Sequence, residues 1–184
     1  NSGTSGLHAA LNAACVEPGD EVITTPFPVV VDSTVPVIMG AEPVFADIDP
    51  DTHNIDPNSI EERITEKTKA IIPVAHDGLP YDIDKVMQIA NKHDLIVLED
   101  NAQAINAEYN ERYVGKDAHI TMFSFERTKH VSTGEGGMLI TNDSDLAVKA
   151  RKFAGMGFKN LSSKKSDLVA GVPLEYQNPT YERN

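Results

Sequence analysis

The sequence predicts an α/β domain in which a mostly parallel sheet is covered by helices on both faces. Apolar, β-branched runs of strand length alternate with segments of helical spacing along the chain. That alternation is typical of a sheet enclosed between two layers of helices. Several strand candidates are apolar throughout, as expected of parallel strands that are buried on both faces.

The predicted elements follow one another with short connections. The predicted strands are residues 21–25, 43–47, 70–75, 95–99, 120–125 and 137–141. The predicted helices are residues 5–16, 30–39, 58–64, 83–93 and 144–155. Asp56-Pro57 and Asp82 suit helix starts, whereas Gly40 and Gly155 suit helix ends. Residues 159–165 are polar and predict an exposed loop.

The composition is that of an ordinary globular protein and argues against nucleic-acid binding. The chain has 184 residues, of which 40% are apolar and 24% are charged, and its formal net charge is −12. Proteins bind phosphate backbones through patches of Lys and Arg, which such an acidic surface opposes. An anionic small molecule would therefore need a local positive site.

Cysteine usage and hydropathy predict a cytoplasmic protein. Cys15 is the single cysteine, so no disulfide forms within the chain, and its apolar neighbours predict a small core residue rather than a reactive thiol. No run reaches the roughly 18 apolar residues that a membrane span needs. The polar start is not that of a signal peptide.

Both ends of the chain predict an excerpt of a longer protein. The chain lacks an initiating methionine and opens directly on a loop rich in Ser and Gly. Residues 173–180 are rich in turn-forming residues and stop without a capping element.

Asp100 is the first candidate for chemistry because it ends a buried apolar strand. Open α/β sheets bind their ligands at the carboxyl ends of the strands. A carboxylate there could pair with the protonated ring nitrogen of a cofactor and keep that nitrogen positive. It could equally cap the following segment or bind a metal. Gln103 follows at helical spacing and could hydrogen-bond a ring oxygen.

Lys129 is the second candidate, and its neighbours distinguish it from a solvated surface lysine. Ser124 precedes it at the end of a predicted strand, and residues 134–137 follow with three glycines. A lysine held by a rigid strand can bind an aldehyde covalently, and a serine can anchor a phosphate. Together with Asp100, these residues predict an enzyme that uses pyridoxal phosphate (PLP). The glycines permit close approach of the backbone to a bound group, or form a β-turn.

Thr4 and Ser5 lie at the predicted start of the first helix. Unpaired N–H groups and the positive end of the helix dipole make such a position suitable for a phosphate. A simple N-cap explains the same residues. The six histidines show no metal-ligand spacing, so we predict no metal.

Six ordered motifs resemble the DegT/DnrJ/StrS family of PLP-dependent sugar aminotransferases, which has the aspartate-aminotransferase fold (fold type I). The motifs are residues 1–7, 18–24, 43–50, 99–103, 123–125 with Lys129, and 134–137. The resemblance covers roughly residues 1–157. It implies that these residues form the large PLP-binding domain without its N-terminal segment. Residues 158–184 would then lead toward a small C-terminal domain that the chain lacks.

The resemblance also implies a role for each candidate residue. Lys129 is expected to bind the cofactor and move the proton between cofactor and substrate carbons. Asp100 is expected to pair with the ring nitrogen, and Gln103 to hydrogen-bond near the ring hydroxyl. Thr4, Ser5 and Ser124 are expected to anchor the phosphate. In the related sugar 3-dehydratases a histidine occupies the lysine position, so Lys129 favours transamination.

Three departures from the family pattern stand out. Where relatives place an aromatic residue that stacks on the cofactor ring, this chain has Val29, so an aliphatic contact replaces stacking or Phe27 compensates. Many relatives continue the Asp100 segment with Ala-His-Gly, whereas this chain has Ala104-Ile105-Asn106, so a role of that histidine in substrate binding is not carried over. The asparagine that relatives donate across a subunit interface, and the small domain, are absent.

The resemblance implies transfer of an amino group, from glutamate, to a keto group of a nucleotide-linked deoxysugar or related keto sugar. It also implies a homodimer with an active site shared between subunits. The alternatives are a PLP-dependent sugar dehydratase, and a non-catalytic or incomplete form of the same fold.

Overall fold

The computed structural model describes residues 1–27 and 29–155. Within these ranges the chain forms five α-helices and eight strands. The helices are α1 Gly3–Ala13, α2 Val31–Ile38, α3 Pro57–Arg63, α4 Ile83–His93 and α5 Ser144–Ala154. The strands are β1 Glu21–Thr24, β2 Glu42–Phe45, β3 Thr68–Ile71, β4 Ile96–Asp100, β5 Glu108–Tyr109, β6 Arg112–Tyr113, β7 Ile120–Ser124 and β8 Gly137–Ile140. The predicted loop 159–165 and the predicted segment 158–184 lie outside the described residues.

One six-stranded sheet organises the domain. Its strand order is β2-β1-β3-β4-β7-β8. Strands β1, β2, β3, β4 and β7 are parallel, and β8 runs antiparallel to β7 at one edge. The predicted mostly parallel α/β architecture is therefore present in the described part of the chain.

Alternate residues of the central strands enter two separate hydrophobic clusters, because successive side chains in a strand point to opposite faces. One cluster contains Ile23, Ile71 and Val97, with Ile60 of α3 and Val86 of α4. The other contains Val22, Ala70 and Leu98, with Leu7 and Leu11 of α1 and Val35 of α2. Helices therefore cover both faces of the sheet, as predicted.

The strand boundaries differ from the predicted ones by a few residues, and the largest difference is in β3. Strand β3 ends at Ile71 rather than at residue 75, because Pro73 has no N–H with which to continue the ladder. Val74 nevertheless makes an isolated parallel bridge to Asp100. The chain after β3 therefore stays beside the end of β4, and both reach the same edge of the sheet.

Side-chain caps set the starts of the helices. The Ser2 hydroxyl accepts the Ser5 N–H at 3.1 Å, so α1 begins at Gly3, earlier than predicted. Asp56 and Asp82 cap α3 and α4, as the sequence indicated. Asp143 caps α5 by accepting two backbone N–H groups. None of the described helices has the length and apolar character needed to cross a membrane.

Two local features differ from the sequence interpretation. Strands β5 and β6 form an unpredicted hairpin, whose turn residues Asn110 and Glu111 have φ of 48° and 63°. Strands of two residues carry too little periodicity to be recognised. Cys15, predicted to be a core residue, is exposed, because α1 ends at Ala13 and Cys15 turns the chain with a φ of 57°.

Gly137→Ala should destabilise the domain. A Cβ at this position would lie 2.3 Å from the Ser2 carbonyl oxygen and 2.8 Å from the Gly3 nitrogen, so the start of α1 would have to move away from β8. Overpacking of this kind costs about 1–3 kcal/mol. Gly6→Ala is the control, because its Cβ would meet only side-chain atoms of Met122 and Leu139. Equal midpoints of denaturant unfolding in the two variants would contradict this assignment.

Candidate active site

A cavity of about 240 Å³ lies at the carboxyl ends of the parallel strands. Its walls come from the start of α1 and from the segments that follow β1, β3, β4 and β7. Its lining residues are Ser2, Gly3, Thr4, Val29, Val31, Val74, Asp100, Ala102, Gln103, Met122, Ser124, Glu126, Lys129 and Glu135. The strand order reverses direction between β1 and β3, the position where open α/β sheets bind ligands.

Five of the six predicted site residues line this one cavity. They are Thr4, Asp100, Gln103, Ser124 and Lys129. They come from separate parts of the chain and meet only because parallel strands end at a common edge. A larger cavity of about 500 Å³ lies between α1, β8 and α5, but none of these five residues lines it. We therefore place the candidate site in the smaller cavity.

Asp100 is the buried acid of the site. It is the last residue of β4 and is 2% exposed. Its Oδ1 accepts the Ala102 N–H at 2.8 Å, and its own N–H donates to the Pro73 carbonyl at 2.9 Å. Burial raises its pKa, while the Ala102 N–H and the positive charge of Lys129 lower it. The carboxyl group is therefore held at a fixed place in a largely dry environment.

Glu99 lies beside Asp100 in sequence but belongs to a different environment. Its Oε2 accepts the Thr121 hydroxyl at 2.9 Å, and burial raises its pKa. Adjacent residues of a strand face opposite sides of the sheet. Asp100, and not Glu99, therefore supplies the carboxyl group of the cavity.

Gln103 has a defined orientation. Its Oε1 accepts the Asp77 N–H at 2.8 Å. Because one end of the amide is then used as an acceptor, the other end is an NH₂ donor. This is the polarity needed to hydrogen-bond an oxygen of a bound ring.

The start of α1 and the end of β7 approach closely at one end of the cavity. A Cβ on Gly3 would lie 2.9 Å from the Met122 sulfur and 2.9 Å from the Ser124 Cβ. Glycine therefore allows the helix N-terminus to lie against Ser124. The first N–H groups of a helix have no intrahelical acceptor, and the helix dipole adds positive potential there. A serine hydroxyl beside them completes a site suited to a phosphate.

Ser5 differs from the other predicted phosphate contacts. Its hydroxyl donates to Asn1 Oδ1 at 2.6 Å and lies 2.9 Å from the Ser2 hydroxyl. Its backbone N–H is used by the Ser2 cap. Ser5 lines the larger neighbouring cavity and not the site cavity. Ser2, which the sequence interpretation did not assign, lines the site cavity instead, and a phosphate contact by Ser5 stays a prediction.

Lys129 is placed by a short turn after β7. Its N–H donates to the Glu126 carbonyl at 2.9 Å, which closes the turn. Thr128 donates its N–H to the Glu126 carboxylate at 3.0 Å, and its hydroxyl donates to the same carboxylate. The Thr128 hydroxyl is the main cause of the lowered pKa of Glu126. A rigid turn therefore carries the lysine from the strand end to the cavity.

The apolar wall of the cavity includes Val29, at the position where relatives have an aromatic residue. Phe27 lies elsewhere, with its ring centroid 4.9 Å from that of His76 and 5.9 Å from that of His53. Of the two possibilities raised by the sequence, the structure favours an aliphatic contact over compensation by Phe27. Asn106 is exposed and does not line the cavity.

Asp32 is a buried acid that the sequence interpretation missed. It lies in the first turn of α2 and is 1% exposed. The sequence did contain an indication that Asp32 is buried. Asp32 and Val35 are three residues apart and therefore share one face of the helix, and Val35 is buried. Nothing in the sequence shows that this face meets the end of β4. Among the described residues, no group of three or more His, Cys, Asp or Glu is arranged to hold a metal.

The fold and the cavity define an α/β domain with a candidate ligand site at the carboxyl edge of its sheet, between a helix N-terminus, a buried acid and a lysine. The chain belongs to the DegT/DnrJ/EryC1/StrS aminotransferase family, whose sequence model matches residues 1–174. The family predicted from the six motifs is thereby confirmed.

Two curated relatives and one solved structure illustrate the similarity. The chain is 41% identical over 184 residues to the spore coat polysaccharide biosynthesis protein SpsC of Bacillus subtilis (strain 168), covering 100% of this chain and 47% of SpsC. It is 43% identical over 157 residues to the GDP-perosamine synthase of Caulobacter vibrioides (strain ATCC 19089 / CIP 103742 / CB 15), covering 85% and 42%. The solved structure is NtdA from Bacillus subtilis with bound cofactor PMP, with a TM-score of 0.81 and 37% identity over 89% of this chain and 37% of NtdA.

These matches confirm the predicted fold type I α/β architecture, whereas the assignment of residues 1–157 to a large PLP-binding domain stays a prediction. The chain spans less than half the length of SpsC and of GDP-perosamine synthase. The activity of the whole protein is therefore a proposal, which the site geometry supports.

Proposed function

We propose that the full-length protein is a PLP-dependent aminotransferase acting on a nucleotide-linked keto sugar. The observation that carries this proposal is the single cavity that unites Lys129, Asp100, Ser124 and the first turn of α1. These residues come from three separate motifs. A purely structural role for each would not require them to meet.

The residues present fit PLP in charge and in donor type. Gly3 leaves room for the helix N-terminus to reach Ser124, which forms a seat for a phosphate. Asp100 offers a buried carboxyl group for a protonated ring nitrogen, and Gln103 an NH₂ donor for a ring oxygen. Lys129 supplies an amine. PLP, when bound, supplies a carbonyl that accepts an amino group and a ring that withdraws electrons from the substrate.

The residues of the chain then have distinct tasks. With PLP bound, Lys129 would hold it covalently at rest and, with its amine free during turnover, would carry the proton between reacting carbons as the general base. Asp100 would supply a negative charge to a protonated ring nitrogen, so that the ring would remain electron-withdrawing. The start of α1 and Ser124 would bind the phosphate of the cofactor and so help to orient it toward Lys129.

The acceptor is proposed from the family and the relatives. SpsC is named for polysaccharide biosynthesis and GDP-perosamine synthase for a nucleotide-linked sugar. We propose a nucleotide-linked deoxysugar or related keto sugar as the acceptor and glutamate as the donor. Donor and acceptor then use the site in turn.

Product analysis tests the reaction. The full-length protein with PLP, glutamate and a nucleotide-linked keto sugar should release 2-oxoglutarate in stoichiometric amount with the aminated sugar. A deoxygenated sugar would instead identify a dehydratase, the alternative that Lys129 and the family do not favour. Lack of any absorbance change on PLP addition would favour a non-catalytic protein.

We also propose that the protein is a cytoplasmic homodimer with its active site shared between subunits. A partner residue near the phosphate would complete the seat formed by α1 and Ser124. Cofactor affinity should then depend on association of the subunits. Sedimentation of the full-length protein with PLP, over a range of dilutions, should show cofactor loss together with dissociation. A monomer that binds PLP tightly would contradict this.

A further inference from the structure

Asp32 is a buried acid without an evident donor. Both of its carboxyl oxygens are inaccessible to solvent, and neither receives a hydrogen bond from a donor group in the described ranges. Burying an ionised carboxylate without partners is strongly unfavourable, and such a group takes up a proton instead. A protonated Asp32 is therefore expected, with its O–H available to donate to a neighbouring acceptor.

The neighbour of Asp32 is Asp100. The carboxyl groups of Asp32 and Asp100 lie side by side, and the two residues are only 1% and 2% exposed. Two carboxyl groups in contact in a dry environment cannot both be ionised, so the pair holds at least one proton. A hydrogen bond between them requires that one group is the donor.

The surroundings decide which acid carries the proton. Asp100 accepts the Ala102 N–H and lies near the charge of Lys129, and both favour its ionised form. For Asp32 the only such support is its own backbone N–H, the weakest of the influences on its pKa. Burial, followed by the charge of Asp100, raises the pKa of Asp32 to about 9. The proton therefore belongs on Asp32.

Other charged groups do not alter this assignment. Helix α2 packs against α1, β1 and β2. Helix α1 contains His8 as its single titratable residue, and β1 and β2 carry Glu21 and Glu42 at their amino ends, away from the site edge. Asp100 is the charged group that acts on Asp32.

We propose that Asp32 is a positioning residue that remains protonated and donates a hydrogen bond to Asp100, which keeps Asp100 ionised and fixed at the wall of the cavity. Together the pair then carries one negative charge. The further consequence, that this charge meets a ring nitrogen, rests on the proposed function. The carboxyl pair itself does not depend on it.

Infrared difference spectroscopy of the full-length protein without cofactor tests the pair directly. At neutral pH the wild-type spectrum minus that of Asp32→Asn should contain the carbonyl band of a protonated carboxylic acid. Glu99 is a second buried acid, but it is common to both proteins and cancels in the difference. Asp145→Asn is the matched control, because it removes an exposed acid from the first turn of α5 and should give no such band. A difference spectrum without the band would overturn the proposal.

The pH dependence of the unfolding equilibrium is a second test of whether Asp32 is protonated in the folded protein. The ordinary pKa of Asp32 is 3.8, and in the folded protein it is about 9. Between these values the folded chain keeps a proton that the unfolded chain releases, so stability falls as pH rises. Relative to Asp32→Asn, the unfolding equilibrium constant of the wild type should rise by up to about tenfold per pH unit in this window. Parallel pH profiles of the two proteins would refute the assignment.

The kcat values of PLP-loaded Asp32 variants then distinguish a positioning role of Asp32 from a packing role. Asp32→Asn keeps a hydrogen-bond donor, whereas Asp32→Leu keeps the approximate volume and removes it. We expect kcat of the Leu variant to fall by roughly ten- to a hundredfold, the effect of losing one hydrogen bond to a charged group, and the Asn variant to retain most of kcat. Equal losses in both variants would show a packing role. If the protein does not bind PLP at all, the proposed function fails, while the infrared test of the pair still stands.

Discussion

Lys129→Ala should abolish covalent retention of PLP and reduce transamination to background. Borohydride reduction of the wild-type protein, followed by peptide mass mapping, should place the pyridoxyl group on Lys129. The physical reason is that no other lysine lines the cavity that contains Asp100 and Ser124 among the described residues. Replacement by alanine removes the amine that forms the bond and the base that moves the proton.

Two controls sharpen this prediction. Lys129→Arg keeps a positive charge near Asp100 but lacks a nucleophilic amine, so it should also lose the covalent label. Lys67→Ala removes an exposed lysine far along the chain from the site and should behave as the wild type. A label on any other lysine, or an alanine variant that is still labelled, would show that Lys129 is not the attachment site.

The site was predictable where local sequence sets the geometry. An apolar strand that ends in an acid placed Asp100, and a second strand followed by a short polar turn placed Ser124 and Lys129. Both predictions rest on one physical rule, because parallel strands deliver their carboxyl ends to a common edge. The structure accordingly brings these three residues to one cavity.

The remaining differences between prediction and structure have separate physical reasons. Ser5 was predicted as a site residue, yet the Ser2 cap and Asn1 engage its N–H and hydroxyl. Asp32 was missed because its role arises from its proximity to Asp100, which is 68 residues further along the chain. Strand β3 was predicted too long because local β-propensity continues past Pro73, where the ladder cannot. A contact between distant segments decided the outcome for Asp32, whereas hydrogen bonds to neighbouring residues did so for Ser5 and the missing N–H of Pro73 did so for β3.

Asp100→Asn should lower kcat by orders of magnitude while leaving the fold intact. Asparagine has the same shape, and its side-chain oxygen can still accept the Ala102 N–H that Asp100 accepts at 2.8 Å. It removes the negative charge that would hold a proton on the ring nitrogen. Losing that charge should cost several kcal/mol of transition-state stabilisation, roughly 1.4 kcal/mol for each factor of ten in rate.

Stability should change in the opposite direction to activity. Burial raises the pKa of Asp100 above its ordinary value of 3.8, so ionising this carboxyl group costs more free energy in the folded protein than in the unfolded chain. Above the ordinary pKa this difference destabilises the fold, increasingly as pH rises. Asp100→Asn removes the penalty, so the cofactor-free variant should be at least as stable as the wild type at neutral pH.

The matched control for Asp100→Asn is Asp94→Asn, because Asp94 lies two residues before β4 begins, whereas Asp100 is the last residue of β4. Asp94 is exposed and has a φ of 56°, a left-handed conformation that asparagine tolerates. It should change neither kcat nor the unfolding midpoint. Steady-state kinetics and denaturant unfolding of the three proteins decide the matter. Loss of activity together with loss of stability in Asp100→Asn would mean that the acid supports the fold, whereas normal turnover would mean that its charge has no part in the reaction.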